Sequence, residues 1–349
     1  MSSLSRRSFN HLLLGAAAGS ACPGFASEAA AQTGGRLVIG TWGGDTQTML
    51  DKFVVKPKVQ SAGVSIAYDA ASEAPRKTKL LAERPLPRGT LDVGGFQPPS
   101  TFELQNVGAL EELDSSRVSK FNSILPNIQS KYAIPQFYTA RVILYNSQKV
   151  TNPPKSYADL WKPEYAGRVG IVDIQYQSTI ESAALTAGGA VGNYEPGKAR
   201  LLELKRQGVK VYPSNEALGQ GLASGEVWVC IMWQARGVKW QDAGLPISIV
   251  YPEEGVALSV YEYAMPKNAR NKEAAYLFLN GLLDEGAQIG HAREHGYIPS
   301  RTDVELPADL KARIQIPDAF ANKLLLPDLA YLRENDSQLK DWWDRVFKG

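Results

Sequence analysis

The chain predicts an α/β fold in two blocks, each built around a largely parallel sheet. Three observations predict it. Strand-like and helix-like stretches alternate in β-α-β-α-β order over 36–95. A second block of the same kind begins at Val169 and runs to a buried strand ending at Trp233. The 318 residues beyond Ala31 exceed the usual size of one domain, so two domains or lobes are expected.

In chain order, Arg36–Trp42 (RLVIGTW) reads as a buried strand closed by Gly43-Gly44, and 45–53 as the helix after it. Val64–Tyr68 alternates as a second strand. Residues 77–82 form a short helix, and Leu91–Gly95 is a strand ending in a turn. Gln97-Pro98-Pro99-Ser100 starts a helix over 101–107. Residues 133–150 hold two β-rich pieces. A proline-punctuated loop follows, with a short helix at 157–161. The second block reads as a strand at 169–173, helices at 179–187 and 196–207, a strand at 209–212, a helix at 216–223 and a strand at 227–233. Strands at 247–252 and 256–265 come next. Asn271 caps a helix with Ala274, Leu277, Phe278 and Leu282 at 3- and 4-residue spacing, and a last helix ends in Leu339, Trp342, Trp343 and Val346.

The N-terminus has the layout of an export signal with a twin-arginine start. Arg6-Arg7 lead into the short apolar run 12–18, and Ala29 and Ala31 supply an A-x-A cleavage site, so the mature chain starts near Gln32. Gly19, Ser20 and Pro23 interrupt the run, which is too short to span a bilayer. Export by this route implies folding before crossing and an extracytoplasmic role. Beyond the signal, 36 basic face 35 acidic residues, which leaves no clustered basic excess for nucleic acid. Cys22 lies in the signal, without the aliphatic residue that begins a lipoprotein box. Cys230 is then alone in the mature chain, inside the apolar run 227–233, and reads as a small core residue rather than half of a disulfide.

Two short motifs look chemical. His291-Ala292-Arg293-Glu294-His295 matches H-x-x-E-H, which would suit a secreted metal-dependent hydrolase. Gly296–Pro299 ends the helix at once and leaves little rigid backing for a metal. The glycine-rich stretch 219–225 follows a helix and precedes a strand, the reverse of a dinucleotide loop, and no other cofactor motif is present. What remains is a set of aromatic and acidic residues at strand ends: Trp42, Asp45, Asp173, Tyr176, Trp233, Tyr261, Glu262 and Tyr263. In open α/β sheets ligands bind beyond the carboxyl ends of the strands. Aromatic faces with nearby carboxylates suit a cation.

At these residues the chain resembles the extracytoplasmic solute-binding proteins of ABC importers, in the spermidine/putrescine-binding group. Leu37–Gly44 is similar to the family's opening strand and ligand loop, and Ala158–Val169 to its entry into the second lobe. Tyr251–Gly255 and Ala264–Ala269 are similar to the return, and Gly296–Ser300 also fits. The resemblance implies a type II-like periplasmic binding protein fold: two lobes, two hinge crossings near Tyr138–Arg141 and Tyr261–Ala264, and a cleft between the lobes. Signal 1–31 would precede a first lobe over 32–138, a second over 139–262, and a return to the first lobe with C-terminal helices over 263–349. It implies a monomer that catalyses nothing, needs no cofactor and docks on an inner-membrane permease.

The same resemblance makes Trp42, Trp233 and Tyr261 apolar walls and Asp45, Asp173 and Glu262 charge partners, with Tyr176 beside them, for a polyamine-like amine. Where those relatives carry a tryptophan and then an aspartate, this chain has Ser259 and Tyr261, with Glu262 one step on. A one-residue step on a strand changes faces. A smaller amino acid derivative, an aminophosphonate or a ferric complex therefore stays open beside the polyamine.

Overall fold

The computed structural model describes residues 35–349. The twin-arginine pair, the apolar run, Cys22 and the cleavage site near Ala31 lie outside the described residues. Strand β1 (Arg36–Thr41) leads to helix α1 (Asp45–Leu50), whose path continues in wider π-helical turns over Asp51–Val59. Then come β2 (Ser65–Ala70), α2 (Glu73–Glu83), β3 (Val93–Phe96), α3 (Pro98–Asn106) and β4 (Ala133–Asn146). The second block holds β5 (Val169–Val172), α4 (Tyr176–Leu185), α5 (Glu195–Arg206), β6 (Lys210–Tyr212), α6 (Asn215–Ser224), β7 (Val229–Trp233), α7 (Gln234–Asp242) and β8 (Ile247–Val250). The chain ends with β9 (Val256–Ala264), α8 (Lys272–Leu282), α9 (Glu285–His295), β10 (Ile298–Pro299), α10 (Ala308–Ile314), β11 (Leu324–Leu325) and α11 (Leu329–Trp342).

The strand order is β2-β1-β3-β9-β4-β7-β5-β6. The β1–β2, β1–β3, β5–β6 and β5–β7 pairs are parallel, as two separate β-α-β blocks require. The blocks are joined by antiparallel pairs on β4. The two β-rich pieces expected at 133–150 are one strand, and it changes neighbours midway. Residues up to Ala140 pair with β9, and from Arg141 onward the partner is β7. This is the first crossing. The return comes earlier than Tyr261–Ala264: β8 still pairs with the second half of β4, whereas Leu258–Ala264 already pair with its first half. The crossing is therefore the link between Val250 and Val256, where Pro252 and Gly255 break the strand.

Alternation on β4 sets the core. Ala140, Val142 and Leu144 enter one buried cluster that reaches from Leu37 and Val54 to Leu218 and Met232. Ile143 faces the other way, into a cluster with Tyr157, Ile171, Ile180 and Leu201. That second cluster also takes in the end of the chain. Leu332, Leu339, Trp343 and Phe347 of the C-terminal helix pack into it, against second-block residues. Large apolar residues at the end of the chain bury themselves wherever an uncovered sheet face remains. Asn271 caps α8 as expected, its Oδ1 accepting from the Ala274 amide at 3.1 Å. Helix α7 had no clear signature in the sequence, and it carries cationic side chains toward the first block.

Candidate functional site

The two strands that join the blocks also form a polar floor between them. In register, Phe137 faces Tyr261, Thr139 faces Ser259 and Arg141 faces Trp233. Paired residues share a face, so an aromatic pair, a hydroxyl pair and an Arg–Trp pair follow one another across the switch point of β4. Each pair is in use. The Phe137 and Tyr261 rings lie 5.3 Å apart, Ser259 accepts from the Gln97 side-chain amide at 3.1 Å, and the Arg141 guanidinium sits 5.0 Å from the Trp233 ring centre.

One wall comes from the first block. Trp42, just after β1, meets Tyr261 edge-on at 5.7 Å, and Tyr297 packs on Phe137 and Tyr261 at 3.9 and 5.6 Å. Behind Trp42 lies Arg76, buried, 5.0 Å from the ring centre, with its terminal nitrogens donating to the Gly95 and Ala71 carbonyls. Burial holds the Tyr261 phenol well above its ordinary range. Asp45, at the start of α1, lines a recess with Phe137, Arg236, Lys239, His295 and Tyr297. Its carboxylate accepts from Lys239 of α7 at 2.6 Å, and that hydrogen bond and charge hold its pKa below the ordinary value.

The other wall comes from the second block. A pocket over the floor is lined by Gln97 and Pro98 on one side and by Ser178, Glu181, Tyr194 and Trp233 on the other, with Leu258–Val260 beneath. Arg141 stands at this wall, fully buried. Its Nε donates to Ser182 at 3.0 Å and its Nη2 to Thr179 at 3.3 Å, while Nη1 has no partner. Sequence reasoning missed Arg141 and Glu181. A lone charge directly before the apolar run Val142-Ile143-Leu144 was the available signal for Arg141.

Four of the residues singled out in the sequence therefore line the space between the blocks: Trp42, Asp45, Trp233 and Tyr261. Three do not. Asp173 turns to the C-terminal helix, where it accepts from the Trp343 indole at 2.7 Å and pairs with Lys348 at 2.9 Å. Burial pushes its pKa up, but these two donors outweigh that and hold it below the ordinary value. Tyr176 donates to Asp336 of the same helix. Both were read as site residues because they follow β5. The helix that claims them was not visible as a neighbour.

Glu262 points to the opposite face of β9 from Tyr261, as the strand period requires, into a pocket with Thr101, Phe102, Gln105 and Val260. Burial lifts its pKa to about 7. The H-x-x-E-H residues also separate. The His291 ring is buried, bonded to Gln136 at 2.8 Å, and burial lowers its pKa to about 3, whereas Glu294 pairs with Lys52. Among the described residues, no group of three His, Cys, Asp or Glu side chains is placed to hold a metal ion.

Comparison with known proteins agrees with this architecture. Residues 91–333 match the family model of the bacterial extracellular solute-binding proteins. The chain is 29% identical over 258 residues to the spermidine/putrescine-binding periplasmic protein of Escherichia coli, covering 69% of this chain and 71% of that one. It is 25% identical over 267 residues to the gamma-aminobutyric acid-binding protein of Pseudomonas aeruginosa, covering 73% and 74%. The solved structure of the Atu4243–GABA receptor superposes with a TM-score of 0.79 over 90% of this chain and 98% of that one, at 21% identity. Both curated relatives are named as binding proteins, one of them periplasmic. The fold is the two-lobed one, with the floor strands crossing between the lobes, and the chain belongs to the bacterial extracellular solute-binding protein family.

Proposed function

We infer that the mature chain captures a small amine-containing solute between its lobes and delivers it to the permease of an ABC importer in the inner membrane. One observation carries this reading: the row Tyr261–Ser259–Trp233 on the crossing strands, walled by Trp42 and Gln97 from one block and by Glu181 and Tyr194 from the other. A solute touching both walls binds the closed arrangement better than the open one, so binding and hinge closure are the same equilibrium. The lobes divide at the switch points, with 35–140 and 256–325 in the first and 141–250 with the C-terminal helix in the second. The relatives named for spermidine/putrescine and for gamma-aminobutyric acid support an amine-bearing solute. Arg6-Arg7 and Ala29–Ala31 support twin-arginine export to the periplasm with cleavage near Ala31.

The test is a thermal-shift screen of the mature protein against diamines, triamines, amino acids and aminophosphonates. A ligand at a hundredfold excess over its Kd adds about 2.7 kcal/mol of stability. A solute-specific rise that Trp233→Ala abolishes is expected. No rise with any class overturns the reading.

A further inference from the structure

We propose that the solute carries a carboxylate, taken by Arg141, beside the amine, which Glu181 receives; this rests on the cleft being the capture site. Arg141 is fully buried, and among the described residues no carboxylate lies within ion-pair distance of it. Ser182 and Thr179 hold two of its nitrogens and leave Nη1 bare. A buried guanidinium with an unmet donor is costly unless an anion completes it. The two residues that hold it, Thr179 and Ser182, lie on α4 each next in sequence to a residue, Ser178 or Glu181, that lines the pocket over Trp233. The bare nitrogen therefore sits behind the wall of a pocket that is open to both lobes.

The field of the cleft points the same way. Each cleft tryptophan already has a guanidinium within cation–π range. Arg76 lies 5.0 Å from Trp42, and Arg141 lies 5.0 Å from Trp233. A cation held against one face of an aromatic ring opposes a second cation at the other, so these rings are poor seats for a solute with two ammonium ends. At the far end of the floor Asp45 is already neutralised by Lys239, with Arg236 beside it. The acidic group left facing the pocket is Glu181. It feels Arg141 through the intervening space without touching it, and Tyr194 hydrogen-bonds to it. A carboxylate lining the pocket and an unpaired guanidinium just behind its wall, with no ion pair between them, match a zwitterion. A polyamine would leave Arg141 unmet and would add like charge to it.

The experiment compares matched pairs by calorimetric titration of the mature protein. The probes are α- and ω-amino acids of three to six carbons, each set against the amine left by removing its carboxylate. For the tightest amino acid, the decarboxylated amine binds about 10- to 100-fold more weakly, the range for losing a hydrogen bond to a charged group. Arg141→Gln brings that ratio close to one, and Arg141→Lys restores part of it. Glu181→Gln weakens both members of the pair and leaves the ratio intact, whereas a loss of the ratio confined to Arg141→Gln is a pattern that a merely structural defect does not give. Thermal unfolding checks that the variants are folded, and the wild-type ratio decides alone if they are not. An amine or diamine that binds as tightly as its amino acid overturns the carboxylate assignment and leaves capture in the cleft standing. Failure of the wild type to bind any amino acid, amine or diamine overturns both.

Discussion

Replacing Asp173 separates the structure from the sequence reading most sharply. Its Oδ1 accepts from the indole of Trp343, which is fully buried, and its carboxylate pairs with Lys348 while both side chains remain about one-third exposed. In Asp173→Ala the indole N–H loses its acceptor inside the second cluster, which costs about 1–3 kcal/mol. The lost ion pair adds about 0–1 kcal/mol, because water and salt screen it. The variant should therefore lose about 2 kcal/mol in urea unfolding of the mature protein and keep solute affinity within a few fold. Asp173→Asn retains an acceptor oxygen and should lose about half as much. The pH dependence follows from the lowered pKa. A carboxylate whose folded pKa lies below the ordinary 3.8 contributes stability above that value, and the contribution is lost as pH falls through the folded pKa. The gap between wild type and Asp173→Ala should then narrow below about pH 4. Unchanged stability with a tenfold loss of solute affinity would refute the reasoning and return Asp173 to the binding site.

The remaining predictions concern buried groups away from the cleft. Glu262 is lifted from 4.5 to about 7 by burial, so the folded state favours its neutral form and stability is lost as pH rises between those values. Glu262→Gln should be up to about 3 kcal/mol more stable than wild type at pH 8 and show no such gain at pH 4, read from urea midpoints. Cys230 is fully buried, and burial raises its thiol pKa well above the ordinary value. It should resist an aromatic disulfide reagent until the protein unfolds, and rapid labelling of the native chain would contradict its place in the core. Gly197 lets α5 lie directly on α4, because a Cβ there would strike the Ile180 carbonyl and the Ala184 amide. Gly197→Ala should cost about 1–3 kcal/mol in the same assay, and a neutral result would mean that the helices can separate freely.

Much of the fold was legible because its signals are local. The Val- and Ile-rich runs at 37–39 and 169–172, the cap at Asn271 and the proline-broken loop before Val169 each specify an element without reference to its neighbours. The site was legible only in part because it depends on long-range contact. Trp42, Trp233 and Tyr261 reach the cleft by strand position alone, since each follows or lies on a strand that ends there. Asp173 and Tyr176 occupy an equivalent position, but Trp343, Lys348 and Asp336 claim them from 160 to 175 residues away. The strand period already implied that Glu262 and Tyr261 face opposite ways. Arg141 shows the reverse failure. It reads as one charge in an apolar strand, and its importance emerges only when β4 is seen to change sheets there, beside α4 and Trp233.

The most direct test of solute capture between the lobes is a crystal structure of the mature protein with the tightest compound from the screen. The account predicts solute density over Ser259, between the Trp42–Tyr261 wall and Trp233, touching both lobes. Density only in the pocket beneath Glu262, or on one lobe alone, would contradict it.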